Sequence, residues 1–75
     1  MKLDDLTESE RFIVKWQYSM LGGFKSALVL AIAKADTDNR ARLERGFPNE
    51  VDGYRRFAEE SGWWENVQRK AGLSP

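Results

Sequence analysis

Apolar side chains recur at helical spacing along the chain, and no window alternates in the way that a strand requires. In the clearest pattern, six apolar positions follow the i, i+3, i+4, i+7, i+8, i+11 template. These positions are Phe24, Ala27, Leu28, Ala31, Ile32 and Ala35. Because Val29, Leu30 and Ala33 add apolar side chains on the opposite side, the pattern predicts a helix at the centre of the fold.

A capping box predicts the start of an earlier helix. Thr7 and Glu10 stand three residues apart, so the Thr7 hydroxyl can accept from the Glu10 N–H while the Glu10 carboxylate accepts from the Thr7 N–H. The pattern predicts a first helix from this box until Gly22 and Gly23 interrupt it. Its apolar positions are Phe12, Ile13, Val14, Trp16, Tyr18, Met20 and Leu21.

Turn-forming residues divide the rest of the chain into three shorter segments. The run from Asp36 to Asn39 offers several turn or cap residues, of which Asp38 is the preferred start of a short helix that runs to Arg45 and presents Leu43. Gly46 is expected to end this helix in the left-handed conformation. Pro48 suits the first position of the next helix, because the backbone N–H at that position has no partner within the helix and proline lacks this N–H.

The helix after Pro48 is expected to end at Gly62 and to contain a glycine of its own. Gly53 costs this helix about 1 kcal/mol relative to alanine. Either a close contact requires the missing side chain, or the helix is only locally stable. A last short helix is expected to begin at Trp63 and to end at Gly72. The inward positions of these two helices are Val51, Tyr54, Phe57, Val67 and Ala71.

These elements predict an all-α fold, a compact single domain of four to five short helices over residues 1–75, with flexible ends at 1–6 and 73–75. The large aromatic side chains supply buried area that offsets the ordering entropy of a small domain. The expected single core comprises Phe12, Trp16, Phe24, Leu28, Ile32, Leu43, Phe47, Val51, Tyr54 and Phe57.

The composition excludes much of enzyme chemistry. The chain has no cysteine and no histidine, so it lacks a thiol nucleophile, a disulfide framework and the commonest general base and metal ligand. The sequence therefore predicts a protein that is not an enzyme and has no catalytic, cofactor or metal residues. An acidic N-terminal segment and short apolar runs, the longest from Ala27 to Ala33, predict a cytoplasmic protein without a membrane segment.

Two short motifs have the composition of ligand-binding loops but not their spacing. The run from Gly22 to Ser26 ends in lysine and serine, yet Phe24 separates them from the glycines and a helix, not a strand, precedes them. The run from Asp36 to Arg40 lacks the glycine and the glutamate that a calcium loop requires. A helix-to-helix turn and helix capping are the preferred interpretations.

Four arginines are candidate partner-binding residues: Arg40, Arg42, Arg55 and Arg56. They would form part of a basic face if the last three helices packed side by side. Lysine plus arginine and aspartate plus glutamate number 12 each, so the net charge is zero. The preferred alternative is a solvated surface in which these arginines pair with glutamates across helix turns.

Trp63 and Trp64 are two further candidates for partner binding. Adjacent residues on a helix point about 100 degrees apart, so both rings cannot face one core. Either one ring stays at the surface as an interface anchor, or it covers a neighbouring loop.

Several short segments of the sequence resemble short hypothetical proteins of tailed bacteriophages and prophages. The likeness covers about residues 10–72, and its most specific part is the order F-[KR]-[ST]-A-L, A-D, L-x-x-G-F-P, E-V, Y-R. These segments are residues 12–18, 24–28, 35–36, 42–48, 50–51 and 54–57. The resemblance implies a viral accessory protein in the bacterial cytoplasm and supplies no functional residues.

Three functional hypotheses follow. The preferred one is a small effector that binds a host protein, such as an anti-CRISPR or other anti-defence inhibitor, because the body is compact and lacks catalytic groups. The second is a helical nucleic-acid-binding module, which the zero net charge disfavours. The third is a phage structural or assembly protein that self-associates, for instance as a homodimer whose second copy completes the small core.

Overall fold

The computed structural model describes residues 2–73, and this part of the chain forms five helices and no strand. The predicted all-α fold is confirmed. Met1, Ser74 and Pro75, which belong to the predicted flexible ends, lie outside the described residues. The helices are α1 (Glu8–Gln17), α2 (Gly23–Lys34), α3 (Thr37–Gly46), α4 (Pro48–Glu59) and α5 (Trp63–Lys70).

The predicted capping box begins α1. The Glu10 N–H donates to Thr7 Oγ1 at 3.2 Å, and the Thr7 N–H donates to Glu10 Oε1 at 2.9 Å. A side-chain cap also begins α3, but the capping residue is Asp36, whose Oδ1 accepts from the Asn39 N–H at 2.8 Å. Of the possible caps in this run, the preference for Asp38 was wrong, because Asp36 already has the extended backbone that an N-cap needs.

The first helix ends before the glycine pair. Ser19 adopts a left-handed conformation with φ of 54°, and its N–H donates to the Trp16 carbonyl at 3.1 Å. The Met20 N–H donates to the Lys15 carbonyl at 2.7 Å. These two bonds form a Schellman motif. Ser19, a residue with a side chain, therefore ends α1, although the sequence pattern predicted that Gly22 and Gly23 would interrupt this helix.

Replacing Ser19 with glycine is expected to raise the free energy of unfolding by about 0.5–1 kcal/mol. A side chain at a left-handed position crowds the following carbonyl, and glycine removes that cost. The measurement is urea denaturation followed by tryptophan fluorescence. Gly72→Ala is the matched control, because Gly72 holds the same position after α5 with φ of 74° and should lose stability on gaining a side chain. Unchanged midpoints in both variants would contradict the assignment.

The junction between α3 and α4 differs from the prediction. Gly46 is the last residue of α3, and its φ is not positive. Phe47 ends α3 and precedes α4 with φ −136° and ψ 61°, because the ring of Pro48 disfavours the helical conformation in the residue before it. Pro48 occupies the first turn of α4 as predicted. Gly62, expected to end α4, lies after that end and precedes α5 with φ of 82°.

Helix α4 is the central element, because it packs against each of the other four helices in the described chain. The prediction that α2 is central was wrong. Gly53 permits the closest approach: a Cβ built there would lie 2.7 Å from the Ser9 carbonyl oxygen of α1 and 3.2 Å from Ile13 Cγ1. Of the two explanations for this glycine, the close contact is therefore the correct one.

The buried side chains form two clusters where one core was predicted. The larger cluster joins the N-terminal segment, α1 and α5 with Val29 of α2, and the smaller one joins α2 to α4. Tyr54 of α4 packs against both. The buried members of the larger cluster are Leu6, Phe12, Ile13, Val14, Val29, Trp63, Val67 and Ala71. Those of the smaller cluster are Leu28, Ile32 and Val51, with Leu43 and Phe47 packed against it.

The N-terminal segment packs on the bundle, although residues 1–6 were expected to be flexible. Leu6 is only 5% exposed, and Leu3 packs against the same cluster. The Lys2 N–H donates to the Ala71 carbonyl at 2.9 Å. Arg11 Nη2 donates to the Leu6 carbonyl at 3.1 Å. At the other end Leu73 also packs against this cluster, so apolar contacts hold both described ends.

Candidate functional site

Helix α2 is apolar on all sides, yet it buries only one of them. Its twelve residues include two charged side chains, Lys25 and Lys34, and no acid. Leu28, Val29 and Ile32 face the protein and are its buried residues. A helix that is apolar all round is usually enclosed by neighbours. The uncovered side of α2 is therefore unusual for a surface helix.

The exposed side of α2 carries large apolar groups. Phe24 is 68% exposed and Leu30 is 61% exposed. Ala27 is exposed three residues from each of them, and Ala31 is exposed one turn after Ala27. We call Phe24, Ala27, Leu30 and Ala31 the α2 face. Phe24 was predicted to be a core residue, which was wrong: it lies at the edge of the buried stripe, and its ring stacks at a tilt on Phe47 with the centroids 5.9 Å apart.

The exposed large hydrophobic residues of the described chain all fall within residues 18–30. Tyr18 and Met20 in the turn before α2 are 43% and 52% exposed. Scattered apolar side chains are normal on a protein surface, but several within one short segment are typical of an interaction site. The segment around α2 is therefore the candidate site.

A groove runs beside the α2 face, between α2 and α3. It has a volume of about 430 Å³, and apolar side chains form much of its wall. Lys34 and Arg42 also line it, and neither forms a salt bridge with any of residues 2–73. No acidic side chain of the described chain lines the groove. The residues of this α2–α3 groove are Ala31, Lys34, Ala35, Asn39, Arg42 and Leu43.

Two of the candidate arginines contact an acid of their own helix. Arg55 Nη2 lies 3.1 Å from Asp52 Oδ1, and Arg56 Nε donates to both oxygens of Asp52 at 3.1 and 3.2 Å. The Ser9 hydroxyl donates to Asp52 Oδ2 at 3.0 Å. Burial alone would raise the pKa of Asp52, but hydrogen bonds from Arg56 and Ser9 hold that pKa below its ordinary value. Asp52 thus binds α4 to α1 and engages both arginines.

The other two candidate arginines lie on α3. Arg40 Nη2 donates to the Ile32 carbonyl at 3.3 Å, and its Nη1 lies 3.9 Å from Glu59 Oε2. Its buried Nε finds no acceptor within the described part of the chain. Arg42 instead lines the α2–α3 groove. The structure therefore does not bring the four arginines together as one face, and of the four only Arg42 lines the α2–α3 groove.

The two tryptophans also lie away from the α2 face. Trp63 belongs to the larger cluster and is 9% exposed. Trp64 is half-buried, and its ring meets Phe57 edge-to-face with the centroids 5.8 Å apart. One ring thus enters the core, and the other packs on Phe57 of helix α4, whereas the second sequence interpretation placed it over a neighbouring loop.

Duplex DNA provides a direct test of the arginine hypothesis. Arg55 and Arg56 already contact Asp52, so a phosphate would have to compete with that carboxylate. We expect no binding to generic duplex DNA near physiological salt in a mobility-shift assay. A phosphate-tracking protein would show affinity that falls with a log-log slope of about 0.9 per phosphate neutralised. Micromolar, salt-sensitive binding that Arg55→Ala and Arg56→Ala abolish would establish the nucleic-acid alternative.

An ion pair connects α1 to α5. Lys70 Nζ lies 2.8 Å from both carboxylate oxygens of Glu10, a residue that is buried. Burial alone would raise the pKa of Glu10, but the Lys70 ammonium and the Thr7 N–H hold that pKa below its ordinary value. The charged form of Glu10 is therefore the one that stabilises the fold.

Lowering the pH should destabilise the protein, because it protonates Glu10 and so removes the ion pair with Lys70. An unfolded glutamate has a pKa of about 4.3. Below about pH 5 the unfolded state binds more protons than the folded state, so the free energy of unfolding falls as the pH drops through the folded pKa. Glu10→Gln should make this loss shallower in urea titrations between about pH 5 and 3. Glu65→Gln is the control, since Glu65 is exposed and forms no salt bridge within residues 2–73. Equal pH slopes in both variants would contradict the role of Glu10.

The described residues contain no group of three acidic side chains that could hold a metal ion. None of the helices within residues 2–73 is both long enough and apolar enough to cross a membrane. No family model matches the chain, and no curated protein or solved structure matches it significantly. The α2 face and the α2–α3 groove are therefore the features on which a functional argument can rest.

The apolar pattern predicted helix α2 but not its environment. A helix that is apolar all round is usually buried on all sides, so the pattern favoured central burial. Alanines at 27, 31 and 33 allow close approach of another helix whether that helix belongs to the fold or to a partner, so they did not indicate which side of α2 stays exposed.

Proposed function

We propose that this protein is a non-catalytic binding protein that docks on another protein through the α2 face. The observation that carries the proposal is the exposure of Phe24 and Leu30 on a helix that has no acidic residue and two lysines. Removing apolar surface from water is favourable by about 25 cal/mol per Å², so a partner that covers these two side chains gains binding free energy. Contiguous apolar patches are accordingly typical of protein interfaces.

The choice of a host protein as the partner rests on the resemblance to short phage proteins. A phage accessory protein acts in the bacterial cytoplasm, and an effector of host machinery, including an anti-defence inhibitor, needs a docking surface and no catalytic group. The α2 face provides such a surface. The chain also lacks cysteine and histidine, so binding accounts for its composition better than catalysis does.

Affinity capture with a surface variant tests the proposal. The immobilised protein is exposed to a lysate of the bacterial host, and retained proteins are identified by mass spectrometry. Leu30→Glu places a charge on the α2 face and should abolish specific capture without unfolding the protein, because Leu30 is exposed. Ala58→Glu is the matched control, since Ala58 is exposed on α4. Circular dichroism confirms that both variants fold.

Two outcomes would contradict the proposal. If Leu30→Glu retains the same proteins as the wild type, the α2 face is not the binding site. If Ala58→Glu loses capture as completely as Leu30→Glu does, capture depends on overall surface charge. Specific loss in Leu30→Glu alone is the expected result.

A further inference from the structure

We infer that the partner presents an acidic amphipathic helix, which lies along the α2 face and meets Lys34 and Arg42 at the α2–α3 groove. This inference rests on the proposed function and adds to it the chemistry of the partner. It depends on the charge of the site, on the shape of the groove and on the length of α2.

The charge of the site has one sign. Lys34 and Arg42 flank an apolar groove whose wall, within residues 2–73, contains no carboxylate. Asp38 lies one turn before Arg42, yet these two side chains do not form a salt bridge. In contrast, Arg55 and Arg56 on α4 both have a carboxylate partner in the chain. Carboxylates of a partner would complement the two groove cations, which steers association and fixes orientation.

The shape of the site suits a helix. Twelve residues at 1.5 Å per residue give α2 a length of about 18 Å, or three turns. Ala27 and Ala31 leave room for a second backbone to approach, and Phe24 and Leu30 stand on either side of them. The adjoining groove, at about 430 Å³, has room for a large apolar side chain of the incoming helix. A helix that places apolar residues at i, i+3 or i+4, and i+7 matches this arrangement.

A second copy of this chain fits the same surface poorly. In a two-fold symmetric dimer each patch meets itself. Pairing of two α2 faces would therefore bring together helices that carry lysines and no acid. In an antiparallel pair, Lys34 would also lie beside the positive N-terminal end of the partner helix. Like charges across an interface are unfavourable, so an acidic partner is preferred.

An anionic membrane is the other surface with complementary charge. A helix that binds a membrane interface lays a convex apolar side into the lipid, with cations around it. Here Lys34 and Arg42 flank a concave groove between two helices, which a lipid surface would not enter. The groove favours a side chain on a protein helix.

A peptide selection tests the inference. The wild-type protein is immobilised and offered a displayed library of 16-residue helical peptides with randomised surface positions, with counter-selection against the uncharged variant Leu30→Gln. We expect the enriched peptides to be net negative and to carry large apolar residues at i, i+3 or i+4, and i+7. The double variant Lys34→Glu with Arg42→Glu should bind these peptides about tenfold more weakly, because two attractive charge pairs become repulsive.

The matched control is Lys2→Glu with Arg69→Glu, which reverses two exposed cations outside α2 and α3. It should bind the enriched peptides as the wild type does. If the enriched peptides depend on Leu30 but are basic or show no charge bias, the inference fails and the proposed function stands. If no peptide depends on Leu30 and lysate capture does not depend on it either, both fail.

Two further results would overturn the inference by giving the α2 face another occupant. One is a dimer, seen by light scattering, that Leu30→Glu dissociates. The other is binding to phosphatidylglycerol vesicles that Leu30→Glu abolishes. A monomer that does not bind these vesicles, together with acidic enriched peptides, is the expected result.

Discussion

Leu28→Ala is expected to lower the free energy of unfolding by about 2–5 kcal/mol, a large part of the stability of a small domain. Leu28 is 6% exposed and packs in the smaller cluster, so alanine would leave a cavity between α2 and α4. Phe24→Ala removes a larger side chain from the same helix but should cost about 1 kcal/mol or less. Its ring is exposed, and alanine favours the helix.

Urea denaturation followed by tryptophan fluorescence measures both changes. The comparison is informative because both residues belong to the apolar stripe that the sequence pattern identified on α2. Ser26→Ala, an exposed change on the same helix, is the control and should leave the midpoint nearly unchanged. Equal losses for Leu28→Ala and Phe24→Ala would mean that the α2 face is covered in the free protein. That result would also remove the basis of the proposed function.

The sequence predicted those parts of the fold that depend on neighbours in the chain. The capping box at Thr7 needs only a residue three positions away, and Pro48 sets its own φ. Helical periodicity likewise predicted five segments in the right order. Each of these signals acts within about two turns, and each was confirmed.

The remaining features of the fold depend on contacts between residues that are far apart in the chain. Ser19 ends α1 although serine has no intrinsic preference for a left-handed backbone, while Gly46, which tolerates it, stays helical. Which side of α2 is buried depends on where α4 lies. The division of the core into two clusters also depends on packing, since α4 contributes Val51 to the smaller cluster and its Tyr54 packs against both.

The candidate site also combines features that the sequence could predict with features that arise only from packing. Arg55 and Arg56 could be recognised as partners of an acid within α4, since Asp52 stands three and four residues before them. The hydrogen bond from Ser9 to Asp52 crosses 43 positions and could not be predicted. The α2–α3 groove, with Arg42 at its wall, likewise arises only from packing. Sequence patterns can thus nominate a charged residue, but packing decides whether its charge is already satisfied.

Gly53→Ala is expected to lower the free energy of unfolding by about 1–3 kcal/mol, although alanine gains about 1 kcal/mol in helix propensity. The new Cβ would lie 2.7 Å from the Ser9 carbonyl oxygen, which is backbone and cannot rotate away. Helices α1 and α4 would have to separate, which also strains the hydrogen bond from Ser9 to Asp52 and the packing of Ile13. Urea denaturation monitored by circular dichroism measures the loss.

Gly46→Ala is the matched control, because Gly46 is also helical but a Cβ added to it would meet, within 4 Å, no described atom beyond its chain neighbours and its own helix backbone. It should gain about 0.5 kcal/mol from helix propensity. The two variants make the same chemical change, so their difference isolates the contact between α1 and α4. If Gly53→Ala were stabilising by a similar amount, the two helices would not be in contact at Gly53. The assignment of α4 as the central helix would then lose its main support.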